Sequence, residues 1–135
     1  MRRVLFLMLC AAMPLMGHAA TNGEEDSIVI NPLNGSDFEV IGGINFGAAE
    51  YWCGAATFVE RRSGKSELTP IYVKRGEAPS VTALGRKGVV FSLSDAGLPA
   101  DAGGRLTLSV DAPGIMLKSV KARRYCRDAF TRSTK

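Results

Sequence analysis

The chain has 135 residues, and its 17 basic and 13 acidic side chains give a net charge of +4. A charge this small argues against a nucleic-acid-binding protein. There is one histidine, His18, and we expect it to be removed with an N-terminal signal. The mature chain then lacks the residue required for Ser-His-Asp and Cys-His catalysis and for histidine-ligated zinc.

The first twenty residues have the pattern of a secretory signal peptide. A basic start, Met1 to Arg3, precedes an apolar run of about 13 residues, and small residues follow it up to Ala20. The run is shorter than the roughly 20 residues of a membrane-spanning helix. We therefore predict cleavage after Ala19 or Ala20 and a periplasmic or secreted product without a transmembrane segment. An uncleaved N-terminal anchor is the alternative.

The remaining chain divides into three parts. Residues 21–35 are polar, acidic and rich in turn residues, so we expect a mostly flexible lead-in, with an edge strand possible at 27–30. Residues 36–130 are predicted to form a single α+β domain of modest size. Residues 131–135 are expected to be a frayed tail.

A helix is the clearest predicted element, over residues 47–62. At about 100° per residue, one face collects Ala48, Tyr51, Trp52, Ala55, Phe58 and Val59. The other face collects Glu50, Gly54, Thr57 and Arg61. Cys53 falls at the edge of the apolar face, where a disulfide can leave the helix without displacing core side chains.

Short alternating segments predict strands at 37–41, 70–75, 89–93 and 106–110, with a further strand favoured at 115–120. A basic helix is predicted at 121–130. Consecutive strands joined by turns favour an antiparallel sheet with helices on one face. We therefore predict a small antiparallel sheet of three to five strands with two helices.

The cysteines predict how this domain is held together. Cys10 leaves with the signal, and an even pair, Cys53 and Cys126, remains. In a small exported domain such a pair predicts a disulfide, here between the two helices, although free thiols or pairing with another chain are alternatives. The absence of a Cys-X-X-Cys motif argues against an oxidoreductase.

Charge is distributed unevenly along the chain. Seven acidic and no basic residues occupy positions 21–60, whereas positions 118–135 hold seven basic residues and one acid, Asp128. We favour mutual compensation between the two ends over the alternative, a basic patch for an anionic partner.

The candidate ligand site is a segment between two strands, residues 76–88, which is rich in glycine, hydroxyl and basic residues. Glycine turns and cations can bind an anion, and the cations are Lys74, Arg75, Arg86 and Lys87. Trp52 and Tyr72 are the aromatic residues that would line an adjoining groove. The competing interpretation is a solvated loop with the tryptophan in the core.

Few residues of this sequence indicate a catalytic site. Glu50 and Glu60 are the acids considered for a carboxylate pair, but their spacing on the helix fits solvation better. We predict no catalytic residue, no metal site and no cofactor.

Several segments together resemble a known group. The run Glu50 to Ala56, residues 71–76 and 79–82, residues 90–93, and Tyr125-Cys126-Arg127 are similar to small uncharacterised exported proteins of alphaproteobacteria. The resemblance supports export and the disulfide and implies no activity.

The sequence therefore predicts a non-catalytic binding or interaction module in the bacterial envelope, with an unknown protein or envelope partner. One alternative is an inhibitor of a foreign enzyme that acts through residues 76–88. The other is a carboxylate-dependent hydrolase.

Overall fold

The computed structural model describes residues 23–130, so the predicted signal peptide and the predicted tail at 131–135 lie outside the described residues. In chain order the elements are α1 Gly23–Asp26, β1 Ile30–Pro32, β2 Asp37–Ile41, α2 Ala48–Ala56 with the π-helical turn Thr57–Arg62, β3 Pro70–Pro79, β4 Lys87–Ser92, β5 Met116–Lys118 and α3 Ser119–Arg124.

The five strands form one antiparallel sheet in the order β1-β2-β4-β3-β5. This confirms the predicted α+β class with two main helices and three to five strands. The alternation predicted for β3 also holds, since Ile71 and Val73 have no exposed surface whereas Lys74 is exposed. The central pair β2–β4 is fully in register from Asp37–Ser92 to Ile41–Gly88.

Strand β2 is buried along its whole length. Phe38 and Val40 face the helical layer. The ring of Phe38 stacks on Phe58 of that layer, with centroids 4.1 Å apart, and on Phe91 of β4 at 5.7 Å. Because side chains alternate along a strand, Asp37 and Glu39 point to the opposite face. Both are buried as well, at 5% and 0% exposure, so both carboxylates need partners there.

Helix α2 is enclosed on all sides, which corrects the prediction of a polar face. Glu50, Gly54 and Thr57 are buried together with the apolar residues. The reason is that α3 packs on one flank while the sheet packs so closely on another that a Cβ atom at Gly54 would lie 2.7 Å from Val40 Cγ1. Thr57 satisfies its hydroxyl within the helix by donating to the Cys53 carbonyl at 2.9 Å.

The predicted disulfide is present and joins α2 to the segment just after α3. The Cys53 and Cys126 sulfur atoms are bonded, with the Cα atoms 4.7 Å apart. The C-terminal helix, however, spans Ser119–Arg124 rather than 121–130. It begins early because the Ser119 hydroxyl donates to Glu60 at 2.7 Å and its N–H to the Thr69 carbonyl at 2.9 Å. Beyond Arg124 the chain continues in short turns that carry Cys126.

Three further predictions need correction. Residues 106–110 form no strand; instead the Ser109 carbonyl accepts a hydrogen bond from Trp52, and the backbone carbonyls of Val110 and Asp111 lie against Gly76. The predicted loop at 76–88 is shorter, because β3 extends to Pro79 and β4 begins at Lys87.

The lead-in at 21–35 is in part ordered. Ile28 and Ile30 belong to the core, and β1 forms an edge of the sheet. Arg62 donates to the Ile28 carbonyl at 2.8 Å, and Arg61 pairs with Asp26 at 3.1 Å, so this segment is attached to the end of the α2 layer.

The disulfide gives the first testable prediction. Its loop spans 73 residues, and for that length chain entropy gives roughly 4 kcal/mol of stabilisation. We expect Cys53→Ser to lower the melting temperature by on the order of 10–15 °C in thermal unfolding followed by circular dichroism. Cys126→Ser and the double variant should show the same loss, because each removes one bond. A wild-type melting curve unaffected by a reductant would contradict the prediction.

Candidate functional site

The β3–β4 loop, residues 80–86, is held in place by one buried carboxylate. Glu39 accepts hydrogen bonds from the Val81 N–H at 3.0 Å and the Thr82 N–H at 3.1 Å. It also accepts from the hydroxyls of Thr82 at 2.6 Å and Ser80 at 3.0 Å. Two backbone amides and two hydroxyls of successive residues thus converge on a single side chain that lies under the loop.

The position of this carboxylate requires a glycine on the next strand. Glu39 passes over Gly88, where a Cβ atom would lie 2.6 Å from Oε1. Arg75 adds a cation, with its guanidinium 3.7 Å from Glu39 Oε1. Burial works to raise the pKa of Glu39, but the hydrogen bonds from Thr82, Val81 and Ser80 outweigh it, and the pKa is lowered from its ordinary value of 4.5.

Further bonds attach the loop to its neighbours. Arg86 donates to the Gly42 carbonyl at 2.7 Å, which ties the loop to the turn after β2. Asn31 of β1 donates to the Thr82 hydroxyl at 2.8 Å. Within the loop, the Ser80 N–H donates to the Arg86 carbonyl at 2.8 Å. The loop is therefore attached to β1 through Asn31, to β2 through Glu39 and to the turn after β2 through Arg86.

This ordered backbone presents apolar side chains to solvent. Leu84 is 104% exposed and Val81 55% exposed, and Ile44, in the neighbouring turn, is 94% exposed. We call these three residues the loop surface. Solvated leucine and isoleucine side chains on a rigid support are suited to contact another molecule.

A cleft of about 470 Å³ lies beside the loop surface, and we call it the loop cleft. Residues 42–44 and 85–87 form its two sides, and Tyr51 and Glu77 complete it. The Tyr51 hydroxyl donates to Glu77 at 2.7 Å, and burial together with this acceptor raises the tyrosine pKa. Gly42 has to be a glycine because a Cβ atom there would collide with the Tyr51 hydroxyl.

The predicted cations do not form one cluster. Arg86 and Lys87 both line the loop cleft. Lys74 is paired with Asp37, and Arg75 donates to the Pro79 carbonyl at 2.6 Å. These last two cations serve the internal carboxylates of β2 instead of an external ligand.

The predicted aromatic residues lie elsewhere. Trp52 has no exposed surface, packs on Phe91 with ring centroids 5.1 Å apart, and donates from Nε1 to the Ser109 carbonyl at 3.0 Å. It contacts a separate cavity of about 310 Å³ under residues 103–109, away from the cations of β3–β4. Tyr72 is half-buried on β3 and lines neither this cavity nor the loop cleft.

The two acids considered for catalysis serve separate partners. Glu50 is 3% exposed and accepts the Gly47 N–H at 2.8 Å, at the start of α2. Glu60 accepts the Ser119 hydroxyl and pairs with Arg123. The Glu60–Arg123 pair is also one instance of the predicted compensation between the acidic N-terminal half and the basic C-terminal end.

The described residues include one cluster with metal-ligand chemistry, formed by Glu25, Cys53 and Cys126, whose ligand atoms lie within 4.8 Å of one another. Both sulfur atoms are committed to the disulfide, so only the Glu25 carboxylate keeps its ligand capacity. Within residues 23–130, no helix has the length and apolar character needed to cross a membrane.

Of the residues that form this site, the sequence patterns singled out Arg86 and Lys87 and missed the others. Glu39 was an acid of a predicted strand, and Ile44 was an isolated apolar residue, whereas Glu77 and Leu84 fell within the candidate segment 76–88 but were given no role there. The one usable signal was an acid inside the apolar segment Phe38-Glu39-Val40, since a strand this apolar is buried on one face and often on both.

Comparison with protein-family models, with curated proteins and with solved structures finds no match to this chain. The functional argument therefore rests on the geometry of the loop surface and the loop cleft.

Replacing the anchoring carboxylate should release the loop. In Glu39→Gln the amide NH₂ group faces hydrogen-bond donors and cannot accept from them. We therefore expect the free energy of unfolding, measured with urea, to fall by about 2–3 kcal/mol. Hydrogen exchange at Val81 and Thr82 should accelerate more than exchange at Phe91. Glu67→Gln, at an exposed acid, is the matched control and should leave both measurements unchanged. Unaltered protection of Val81 and Thr82 in Glu39→Gln would refute the anchoring role.

The second buried acid predicts how stability depends on pH. Burial opposes the charge of Asp37, but hydrogen bonds from Lys74, Ser92 and Asn34 lower its pKa from 3.8 to about 2. A lowered folded-state pKa means that this stabilisation, about 2 kcal/mol, is complete above pH 4 and is lost as pH falls toward 2.

Urea unfolding between pH 5 and pH 2 measures that loss. Asp37→Asn should be less stable at pH 5 and should show a flatter pH dependence than the wild type. Parallel curves for the two proteins would contradict the assignment.

Proposed function

We propose that the protein is a non-catalytic binding module that contacts a protein partner through the loop surface, Ile44, Val81 and Leu84. The observation that carries the proposal is Leu84, which is wholly exposed on a backbone that Glu39 and Arg86 hold in one conformation. A solvated leucine contributes nothing to folding, whereas it supplies an apolar anchor to a complex.

The rigidity of the loop supports the same conclusion. Association loses free energy when a flexible loop has to be ordered, and a loop that is already ordered avoids that loss. Glu39 is separated from Thr82 by 43 positions, so the order is imposed by tertiary structure and does not depend on the partner. The loop is thus ready to bind before any partner arrives.

The proposal places the module outside the cytoplasm, in the periplasm or secreted, with its partner in the bacterial envelope. The Cys53–Cys126 disulfide supports an oxidising compartment. The basic and apolar pattern of residues 1–20 supports export. Kinship with small exported alphaproteobacterial proteins agrees with both and stays a prediction.

A second candidate function is inhibition of a foreign enzyme. The protruding, internally fastened β3–β4 loop favours it, since a rigid loop with an exposed leucine can occupy an active-site cleft. It predicts loss of activity in a panel of extracellular hydrolases on adding the wild-type protein, and recovery with Leu84→Asp. Undiminished activity of every hydrolase would remove this candidate and leave the general binding role.

Partner capture tests the proposed function. Immobilised mature protein is incubated with envelope extract, and Leu84→Asp is compared with Leu106→Asp. The two leucines are matched, at 104% and 102% exposure, but only Leu84 belongs to the loop surface. We expect Leu84→Asp to reduce capture at least tenfold and Leu106→Asp to leave it unchanged, with equal melting temperatures for both variants. Equal capture by the two variants would overturn the proposal.

A further inference from the structure

We infer that the loop cleft binds a carboxylate group of the partner, with Arg86 as the residue that receives it. This inference rests on the proposed function and specifies the chemistry of the partner's contacting segment: a carboxylate next to aliphatic side chains.

Arg86 is held in place yet lacks an acidic partner. One of its terminal nitrogens donates to the Gly42 carbonyl at 2.7 Å, which fixes the guanidinium at the side of the cleft. Among residues 23–130, no carboxylate lies within 4 Å of it, whereas Lys74, Arg75 and Arg61 each have at least one. A positioned guanidinium with unused donors is the group best suited to bind a planar carboxylate through two parallel hydrogen bonds.

The other charges of the cleft favour a singly charged anion. Glu77 is 35% exposed and lies 3.7 Å from the Lys87 ammonium, so these two charges offset one another. Arg86 then leaves the cleft with one net positive charge. A singly charged carboxylate neutralises this one positive charge, whereas a doubly charged phosphate group would leave the cleft with a net negative charge beside Glu77.

Exposed aliphatic residues lie in, or next in sequence to, the two segments that form the cleft. Ile44 is part of one side, and Leu84 directly precedes Gly85 on the other. Both side chains are almost entirely exposed, at 94% and 104%. Ile44 lines the cleft itself, so a carboxylate that reaches Arg86 has its neighbouring groups beside that solvated aliphatic side chain, and burial of apolar neighbours there adds to the binding free energy.

Two partner segments offer this chemistry: a chain terminus that ends in aliphatic residues, and an Asp or Glu side chain flanked by them. Three blocked pentapeptides distinguish the two sources. The first ends in Leu-Leu with a free carboxylate, the second is its C-terminal amide, and the third is an amide with a Leu-Glu-Leu core.

The peptides are titrated into the ¹⁵N-labelled mature protein, and amide shifts are followed by NMR. We expect shifts at Gly42, Gly43 and Gly85 for at least one peptide with a carboxylate, with affinity at least tenfold above that of the amide. Equal affinity for the carboxylate and the neutral amide, or no shifts at these glycines with any peptide, would overturn the inference.

Variants assign the binding to Arg86. Arg86→Gln removes the charge and shortens the side chain, and it should weaken binding of the carboxylate peptide about tenfold. Arg86→Lys should recover part of that loss. Glu77→Gln should tighten binding several-fold because it removes a repulsive charge, a gain that misfolding cannot produce. Arg124→Gln, at an exposed arginine of α3, is the control and should change nothing.

The two proposals fail in different ways. If Leu84→Asp abolishes partner capture while Arg86→Gln captures normally, the binding module stands and the carboxylate assignment is wrong. If Arg86→Gln abolishes peptide binding while Leu84→Asp captures normally, the cleft assignment stands and the loop surface is not the partner contact.

Discussion

Burial of the Glu39 carboxylate constrains the structure more than any other single interaction. The side chain lies on a central strand with no exposed surface, so its charge has to be satisfied by donors of the protein. The donors come from the β3–β4 loop, and Gly88 provides the space that lets the carboxylate reach them. Because the charge stays paired only while the loop keeps its conformation, the loop is ordered by the cost of desolvating one acid.

The covalent constraint acts on a different part of the molecule. Cys53–Cys126 joins α2 to the end of α3, and the Glu60–Arg123 pair connects the same two helices. These contacts hold the two helices of the layer together and leave the β3–β4 loop fastened by hydrogen bonds alone. The disulfide thus contributes to stability without contacting the loop surface, whereas Glu39 contributes both to stability and to the conformation of the loop.

Sequence patterns correctly predicted the main helix and the disulfide. Helix α2 was predicted from its apolar periodicity, and the disulfide from an even cysteine count. The strand expected at 106–110 was wrong because alternation indicates which side chains face inward and says nothing about a partner strand. Here the segment instead covers Trp52 and Gly76. Likewise Arg75 was predicted as a ligand cation, but it faces Glu39, a neighbour that only the strand pairing reveals.

The sequence by itself determined the α+β class, the main helix and the pairing of Cys53 with Cys126, since each depends on periodicity or on a count of residues. Only the tertiary structure decided the site. The strand order puts β2 beside β4, and Glu39 then meets Thr82 across 43 positions of sequence while Arg86 meets Gly42 across 44. Contacts over such separations follow from how the sheet assembles, so no pattern within β2 or the loop could encode them locally.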